Sequence, residues 1–246
     1  MRLLILGGTT ESSALARRIA DRHDLQPVLS LAGRTRNPAP PPIPFRAGGF
    51  GGISGLESYL RQHAIDAVID ATHPFAAQMS GNAGAACRNL RIPIACFTRP
   101  PWRRHPADRW TEVPDIPTAV QTIGHRPRRA FLTVGGVHLA EFQTAPHHWY
   151  LVRTIDPPDA IPPSHRLILA RFPFSETDEI ALMRAEKIDT LVTKNSGGAA
   201  TEAKIAAARA LNIEVIMIQR PPPEDHPTFH RLDDILAWIE AHRPPQ

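Results

Sequence analysis

The residues best suited to chemistry sit in four short stretches, each following an apolar run. The first is LLILGGTTES at 3–12, where four apolar residues lead into two glycines, two hydroxyls and an acid. A strand ending there and a helix following it would leave unpaired backbone N–H groups and a partial positive charge facing an incoming anion. Glycine lets a phosphate approach the backbone closely, and Thr9 and Thr10 add hydroxyl donors. Gly8, Thr9, Thr10 and Glu11 are therefore candidate contacts for the phosphates or ribose of a nucleotide. Gly7, Thr9 and Ser12 occupy the three places of a G-x-G-x-x-G motif, and only the first is glycine. A tight turn with a threonine cap remains equally open.

The second stretch, SLAGRTR at 30–36, follows a further apolar run. A fold that prefers NAD carries an acid near this point for the ribose hydroxyls. Here there is no acid, and Ser30 and Arg34 would suit a ribose 2′-phosphate, since arginine pairs with phosphate where an acid would repel it. If this is a nucleotide site, it favours NADP. The third stretch is DATHPFA at 70–76, where Thr72 and His73 sit at the end of a strand and Pro74 fixes the turn. His73 could position a nicotinamide or donate a hydrogen bond. The fourth is TKNSGG at 193–198, where Lys194 offers charge, Ser196 a hydroxyl, and Gly197 an open backbone suited to an anion or a ribose. In PFSETDE at 173–179, Ser175 reads as a helix cap with Asp178 three residues later, and Arg171 precedes it at the same strand end.

These stretches need elements to hold them. Apolar runs at 3–6, 27–33, 66–72 and 92–98 alternate with helical patterns at 12–21, 55–65 and 76–90. The second half repeats the texture, with strands expected at 129–136, 148–155, 166–172, 189–193 and 213–221. Strands alternating with helices imply parallel βαβ units. The halves also share landmarks: the Ile-Asp pairs at 65 and 188 lie 123 residues apart, the Arg-Pro pairs at 99 and 220 lie 121 apart, and the Gly-Gly pairs at 7 and 135 lie 128 apart. The expected fold is α/β, with two Rossmann-like, doubly wound and mostly parallel domains and a ligand cleft between them. Residues 1–101 would form a nucleotide-binding domain, and residues 102–246 a second domain contributing to substrate binding, with the helix at 232–242 as an addition. Ligands would meet the carboxyl ends of the strands.

Bulk properties narrow the function. The 246 residues are 42% hydrophobic, enough for substantial cores, and no run approaches the length of a membrane helix. The apolar run at the start is too short for a signal peptide, so a cytoplasmic protein is expected. Cys87 and Cys96 fit no zinc or redox spacing, and His147–His148 lack a third ligand, so no metal is expected. The net charge is +4, supplied mainly by arginine. No lysine-rich tail or RNA-binding aromatic pattern accompanies it, so a polyanionic small molecule suits the charge better than nucleic acid.

The stretches ILGGTTES, SLAGR, DATHPFA, PFS, VTKNSGG and AAARALNIEVIMIQRP together resemble the precorrin-6A reductase family of cobalamin (vitamin B12) biosynthesis, over residues 2–221. The resemblance implies NADPH-dependent reduction of one double bond in a corrinoid precursor, precorrin-6A to precorrin-6B, with no flavin or metal. The substrate is then a flat tetrapyrrole-derived ring fringed with carboxylates. Arg99, Arg103, Arg104, Arg153, Arg171 and Lys194 become candidates to grip it, and Phe75, Phe174 or Trp102 to floor it. His73 and Lys194 are candidate proton donors, with solvent as the alternative. Neighbouring enzymes of the same pathway are conceivable partners. Two rival readings stand beside this one. A reductase of small carbonyls would need a tyrosine–lysine pair, yet Tyr59 and Tyr150 lack Y-x-x-x-K spacing. A non-catalytic nucleotide- or ligand-binding protein would need no acid at all.

Overall fold

Apolar runs that end in glycine or polar loops form strands buried on both faces, and the alanine-rich and amphipathic stretches between them form the covering helices. The computed structural model describes residues 1–33 and 40–244. The first segment runs β1 (Arg2–Leu6), α1 (Thr10–Ile19), β2 (Gln26–Leu31), β3 (Phe45–Ala47), α2 (Gly52–Gln62), β4 (Ala67–Asp70), α3 (Ala77–Leu90) and β5 (Ile94–Phe97). The second runs β6 (Trp110–Val113), α4 (Ile116–Ile123), β7 (Arg129–Thr133), β8 (Trp149–Thr154), β9 (His165–Leu169), α5 (Glu176–Ala185), β10 (Thr190–Lys194), α6 (Ala203–Ala210) and β11 (Glu214–Ile218). A short β12 (Thr228–Phe229) and α7 (Leu232–Ala241) follow. No described helix is long and apolar enough to cross a membrane.

The strands form two six-stranded sheets, ordered β12-β5-β4-β1-β2-β3 and β6-β11-β10-β7-β8-β9, and every neighbouring pair is parallel. Each sheet reverses direction of growth at its centre, at β1/β4 and at β7/β10, which is the doubly wound Rossmann-like arrangement. The sixth strands are exchanged. β6 directly follows β5 in the chain yet pairs with β11, whereas β12 directly follows β11 yet pairs with β5.

That exchange changes the expected boundary. One unit comprises Met1–Pro100 together with the chain from Pro221 onward, and the other is Pro101–Arg220. The residues past 221 do not belong with the second domain because their apolar side chains are buried in the first. α7 places Ile235, Trp238 and Ile239 in one cluster with Leu3 and Ile5 of β1 and Leu15 and Ile19 of α1. The opposite face of β1 presents Leu4 and Leu6 to Leu56 and Leu60 of α2 and to Ala83, Ala86 and Cys87 of α3. Strand period and helix period thus agree on both faces of this sheet. In the second unit, Phe131, Leu151, Leu191 and Met217 of the sheet pack with Met183 of α5 and with Ile205, Ala207 and Ala208 of α6.

β6 and α4 lie in a stretch for which the apolar pattern gives no expectation. A cap signal is nevertheless present, since Asp115 accepts the Thr118 N–H at 2.8 Å and Pro117 sits in the first helical turn. Cys87 is buried and Cys96 half-buried. Burial, with Asp70 nearby, pushes the Cys87 thiol up to about 12, which suits its place in the core.

If α7 is integral to the first unit, Trp238→Ala should lower its stability by about 3–5 kcal/mol. Urea denaturation followed by circular dichroism checks this, and a loss below about 1 kcal/mol would make α7 a peripheral addition.

Candidate functional site

The polar groups of the first unit gather at the carboxyl edge of its sheet. A Cβ on Gly7 would lie 2.5 Å from Leu29 Cδ1 and 3.0 Å from Ser12 Oγ, so only glycine fits. Gly8 follows at φ +112°, and a Cβ there would meet nothing within 4 Å. Thr9 caps α1. Its hydroxyl accepts the Ser12 N–H at 3.1 Å and donates to the Ala71 carbonyl at 2.7 Å. Ser12 Oγ in turn accepts the Gly8 and Thr9 N–H groups, each at 3.1 Å. The Thr9 side chain is thus engaged in the loop and in the end of β4. The Thr10 and Glu11 amides open α1 and donate to no acceptor among the described residues. Those amides and the bare face of Gly8 are what this loop offers a phosphate.

Glu11 and Arg99 were expected to touch different ligands, and the structure joins them. Arg99 Nη1 reaches Glu11 Oε2 at 2.7 Å, with both side chains largely buried, while the Thr10 hydroxyl donates to Glu11 Oε1 at 3.1 Å. An acid in the first turn of a helix is favoured by the helix dipole. The guanidinium beside it offsets the repulsion that a carboxylate would exert on a phosphate.

At the end of β2, Ser30 is buried and accepts a hydrogen bond from Arg46 Nη1 at 2.8 Å. Arg46 belongs to β3, where it is the register partner of Ser30. It also donates to the carbonyls of Gly48 and Gly49 at 2.8 and 2.9 Å, and its guanidinium lies 4.0 Å above the Phe50 ring. Arg34 lies outside the described residues. Sequence reading missed Arg46. The available signal was an arginine inside a short strand that leads directly into Gly48-Gly49.

At the end of β4, buried Asp70 accepts both the backbone N–H and the hydroxyl of Thr72, at 3.0 and 2.7 Å. The Thr72 hydroxyl therefore shapes the turn at its own strand end. Next to it, His73 Nδ1 accepts the Phe75 N–H at 3.2 Å. In the neutral ring this places the proton on Nε2.

In the second unit, Lys194 ends β10 and Ser196 and Gly197 follow it. This loop is held from several directions. Arg220 donates to the carbonyls of Asn195 and Ser196, each at 2.9 Å. The Asn195 side chain accepts the Trp102 N–H at 2.8 Å, and the Trp102 indole donates to the Gly198 carbonyl at 3.1 Å. Trp102 is buried and so cannot serve as an exposed floor. Arg153 pairs with the buried Glu179 through both Nη atoms, and its guanidinium lies 3.8 Å above the Phe174 ring. Arg153 and Phe174 thus occupy each other inside the unit. Arg104 donates to the Asp108 carbonyl, and Asp108 bonds Arg209 at the last turn of α6. That turn leads into the amino end of β11, so Arg104 lies at the sheet edge opposite the expected one. Arg103 and Arg171 are exposed, and Arg171 follows the carboxyl end of β9.

The same edge carries an apolar surface that sequence reading did not find. Val137 follows β7, Ile155 follows β8, and Leu169 and Phe172 lie at and beyond the end of β9. All four are exposed, Val137 by 68% and Phe172 by 43%. These three strands are neighbours in the sheet.

Comparison with known proteins gives this arrangement a family. The family model for precorrin-6x reductase CbiJ/CobK matches residues 2–240. The chain belongs to the precorrin-6x reductase CbiJ/CobK family. It is 46% identical over 243 residues to a precorrin-6A reductase of Rhodobacter capsulatus, covering 98% of this chain and 96% of that protein. It is 47% identical over 243 residues to a precorrin-6A reductase of Sinorhizobium sp, covering 98% and 93%. A solved structure of CobK precorrin-6A reductase superposes with a TM-score of 0.91 at 46% identity, over 98% of this chain and 97% of that one.

A member of this reductase family needs a hydride donor. The first unit has the elements that suit a nucleotide: a glycine turn, open helix amides and cationic side chains at the strand ends. Among the described residues no group of three His, Cys, Asp or Glu side chains could hold a metal ion.

If Arg153 is structural, Arg153→Ala leaves Glu179 buried without its partner and should cost about 3–5 kcal/mol of stability. Unchanged stability in a denaturation series, with weakened substrate affinity alone, would return Arg153 to the ligand-binding set.

Proposed function

We propose that this chain reduces one double bond of the precorrin-6A macrocycle to give precorrin-6B in cobalamin biosynthesis, with NADPH as donor. The observation that carries the reaction is family membership across nearly the whole chain, at 46–47% identity to proteins named for it. The chain is an oxidoreductase acting on a CH–CH group. The choice of NADPH rests on residues of the first unit. Neither Ser30 nor its neighbours place an acid at the end of β2, and the guanidinium of Arg46 is held there.

When bound, the nucleotide supplies a hydride to an electrophilic ring carbon. Gly8 and the Thr10 and Glu11 amides receive its phosphates, and the Arg99–Glu11 pair keeps that end of α1 from carrying a net negative side chain. Ser30, Arg34 and Arg46 hold the adenosine end. In the second unit, Val137, Ile155, Leu169 and Phe172 offer the ring face an apolar rest, since burying them against a flat macrocycle removes them from water. Lys194, Ser196 and Gly197 at the end of β10 and Arg171 beyond β9 meet its carboxylates. The ordered loops hold these groups in place before the ring arrives, so little ordering is left for the moment of reaction. The balancing proton is supplied by His73 in its protonated form, by Lys194 or by solvent.

The test is anaerobic incubation of the purified protein with NADPH and precorrin-6A, following loss of nicotinamide absorbance and a product heavier by two hydrogens. Folded protein that oxidises no NADPH in the presence of that acceptor would sink the reading. In the same assay His73→Ala should lower kcat by about 10²-fold. Full turnover in that variant assigns the proton to another source.

A further inference from the structure

Most of the half-buried arginines of this protein are matched by acids. Arg22 meets Asp24 and Glu240, Arg99 meets Glu11, Arg153 meets Glu179, and Arg209 meets Asp108. Arg46 is different. Its described partners are the Ser30 hydroxyl, two backbone carbonyls and the faces of Phe50 and Tyr59, at 4.0 and 5.4 Å. None of these carries charge, so the guanidinium keeps its full positive charge beside an apolar wall, where attraction to an anion is stronger than in bulk water.

The surroundings of Arg46 are also built to receive something. Three of its N–H groups fix it to Ser30, Gly48 and Gly49. Nε–H and one Nη2–H remain, and two such donors match two oxygens of a phosphate. Ser30 Oγ accepts from Arg46 and keeps its own O–H to donate. Gly48 and Gly49 lie alongside, and a Cβ on either would meet nothing within 4 Å. Gly48 N–H bonds the Leu31 carbonyl at 2.9 Å, and a Cβ on Gly33 would come within 3.6 Å of Gly48 N, so this turn is pinned to the end of β2. A fixed cation, a hydroxyl and bare backbone thus converge at one strand end.

We propose that Arg46, with Ser30, is the residue that selects the phosphorylated nucleotide: its guanidinium takes the adenosine 2′-phosphate of the donor. This rests on the reading that the first unit binds NADPH, and it assigns the discrimination to a residue of β3. Mutation should then separate the two nicotinamide nucleotides rather than weaken both. A residue that only propped up the Gly48–Gly49 turn would weaken both alike.

The experiment is calorimetric titration of the full chain with 2′,5′-ADP and ADP, and with NADPH and NADH, for the wild type, Arg46→Gln and Arg46→Lys. The wild type should bind 2′,5′-ADP more tightly than ADP. Arg46→Gln should weaken 2′,5′-ADP and NADPH by about ten- to hundredfold, the range of a lost charged hydrogen bond, while shifting ADP and NADH less than about threefold. Arg46→Lys keeps a cation but loses the fork, and should retain part of the preference. It is the deciding variant if Arg46→Gln does not fold. Equal weakening of both nucleotides, or an intact preference in the folded variants, overturns the assignment to Arg46 while leaving the NADPH reading standing. A wild type that does not prefer 2′,5′-ADP to ADP overturns both.

Discussion

A parallel sheet covered by helices on both faces leaves its backbone polar groups accessible only where the strands end, and that constraint decides where this protein can act. Every strand pair here is parallel, so all the carboxyl ends in a unit point the same way, and the loops leaving them share one edge. The loops of the first unit are tied to one another as well as to the sheet. Thr9 reaches the Ala71 carbonyl beyond β4, and Arg99 beyond β5 reaches Glu11 in α1. The edge is therefore one connected polar surface, and a change in one loop is felt in the next.

The two edges differ in character although their sheets are wound alike. The first is polar, with open amides at α1 and a guanidinium held against a serine. The second combines four exposed apolar side chains at and beyond the ends of β7, β8 and β9 with the basic and hydroxyl groups at the end of β10. A nucleotide with several phosphates suits the first. A flat ring with an apolar face and a charged fringe suits the second. Similar backbones thus carry different chemistry, because the site resides in the loops and the winding only positions them.

The sequence was most readable where local rules act alone. Leu3–Leu6 lies in a strand that stops before Gly7, Ala67–Asp70 in one that stops at the polar Asp70, and Ser175 caps its helix through the Asp178 N–H. The parallel α/β class followed from that alternation. The roles of individual polar side chains were less readable, because they depend on partners far away in the chain. Arg153 finds Glu179 26 residues on, and Arg99 finds Glu11 88 residues back. Thr9 could be read either as a phosphate donor or as a cap, and only the carbonyl of Ala71, which no local pattern points to, settles its hydroxyl. Arg46 escaped notice for the same reason: the register that sets it beside Ser30 is a tertiary fact. Arg104 shows the reverse error, since a position just after a proline pair says nothing about which end of a sheet the chain has reached.

The exchanged sixth strands reach beyond the site, into how the chain emerges from the ribosome. Domains generally fold in order as they are made. Here the first hundred residues contain five of their six strands but lack α7, whose Ile235, Trp238 and Ile239 complete the cluster around Ile5, Leu15 and Ile19. A nascent first unit therefore waits with one apolar face uncovered while the whole of Pro101–Arg220 is synthesised. The later unit, which already holds β6, can close before the earlier one does.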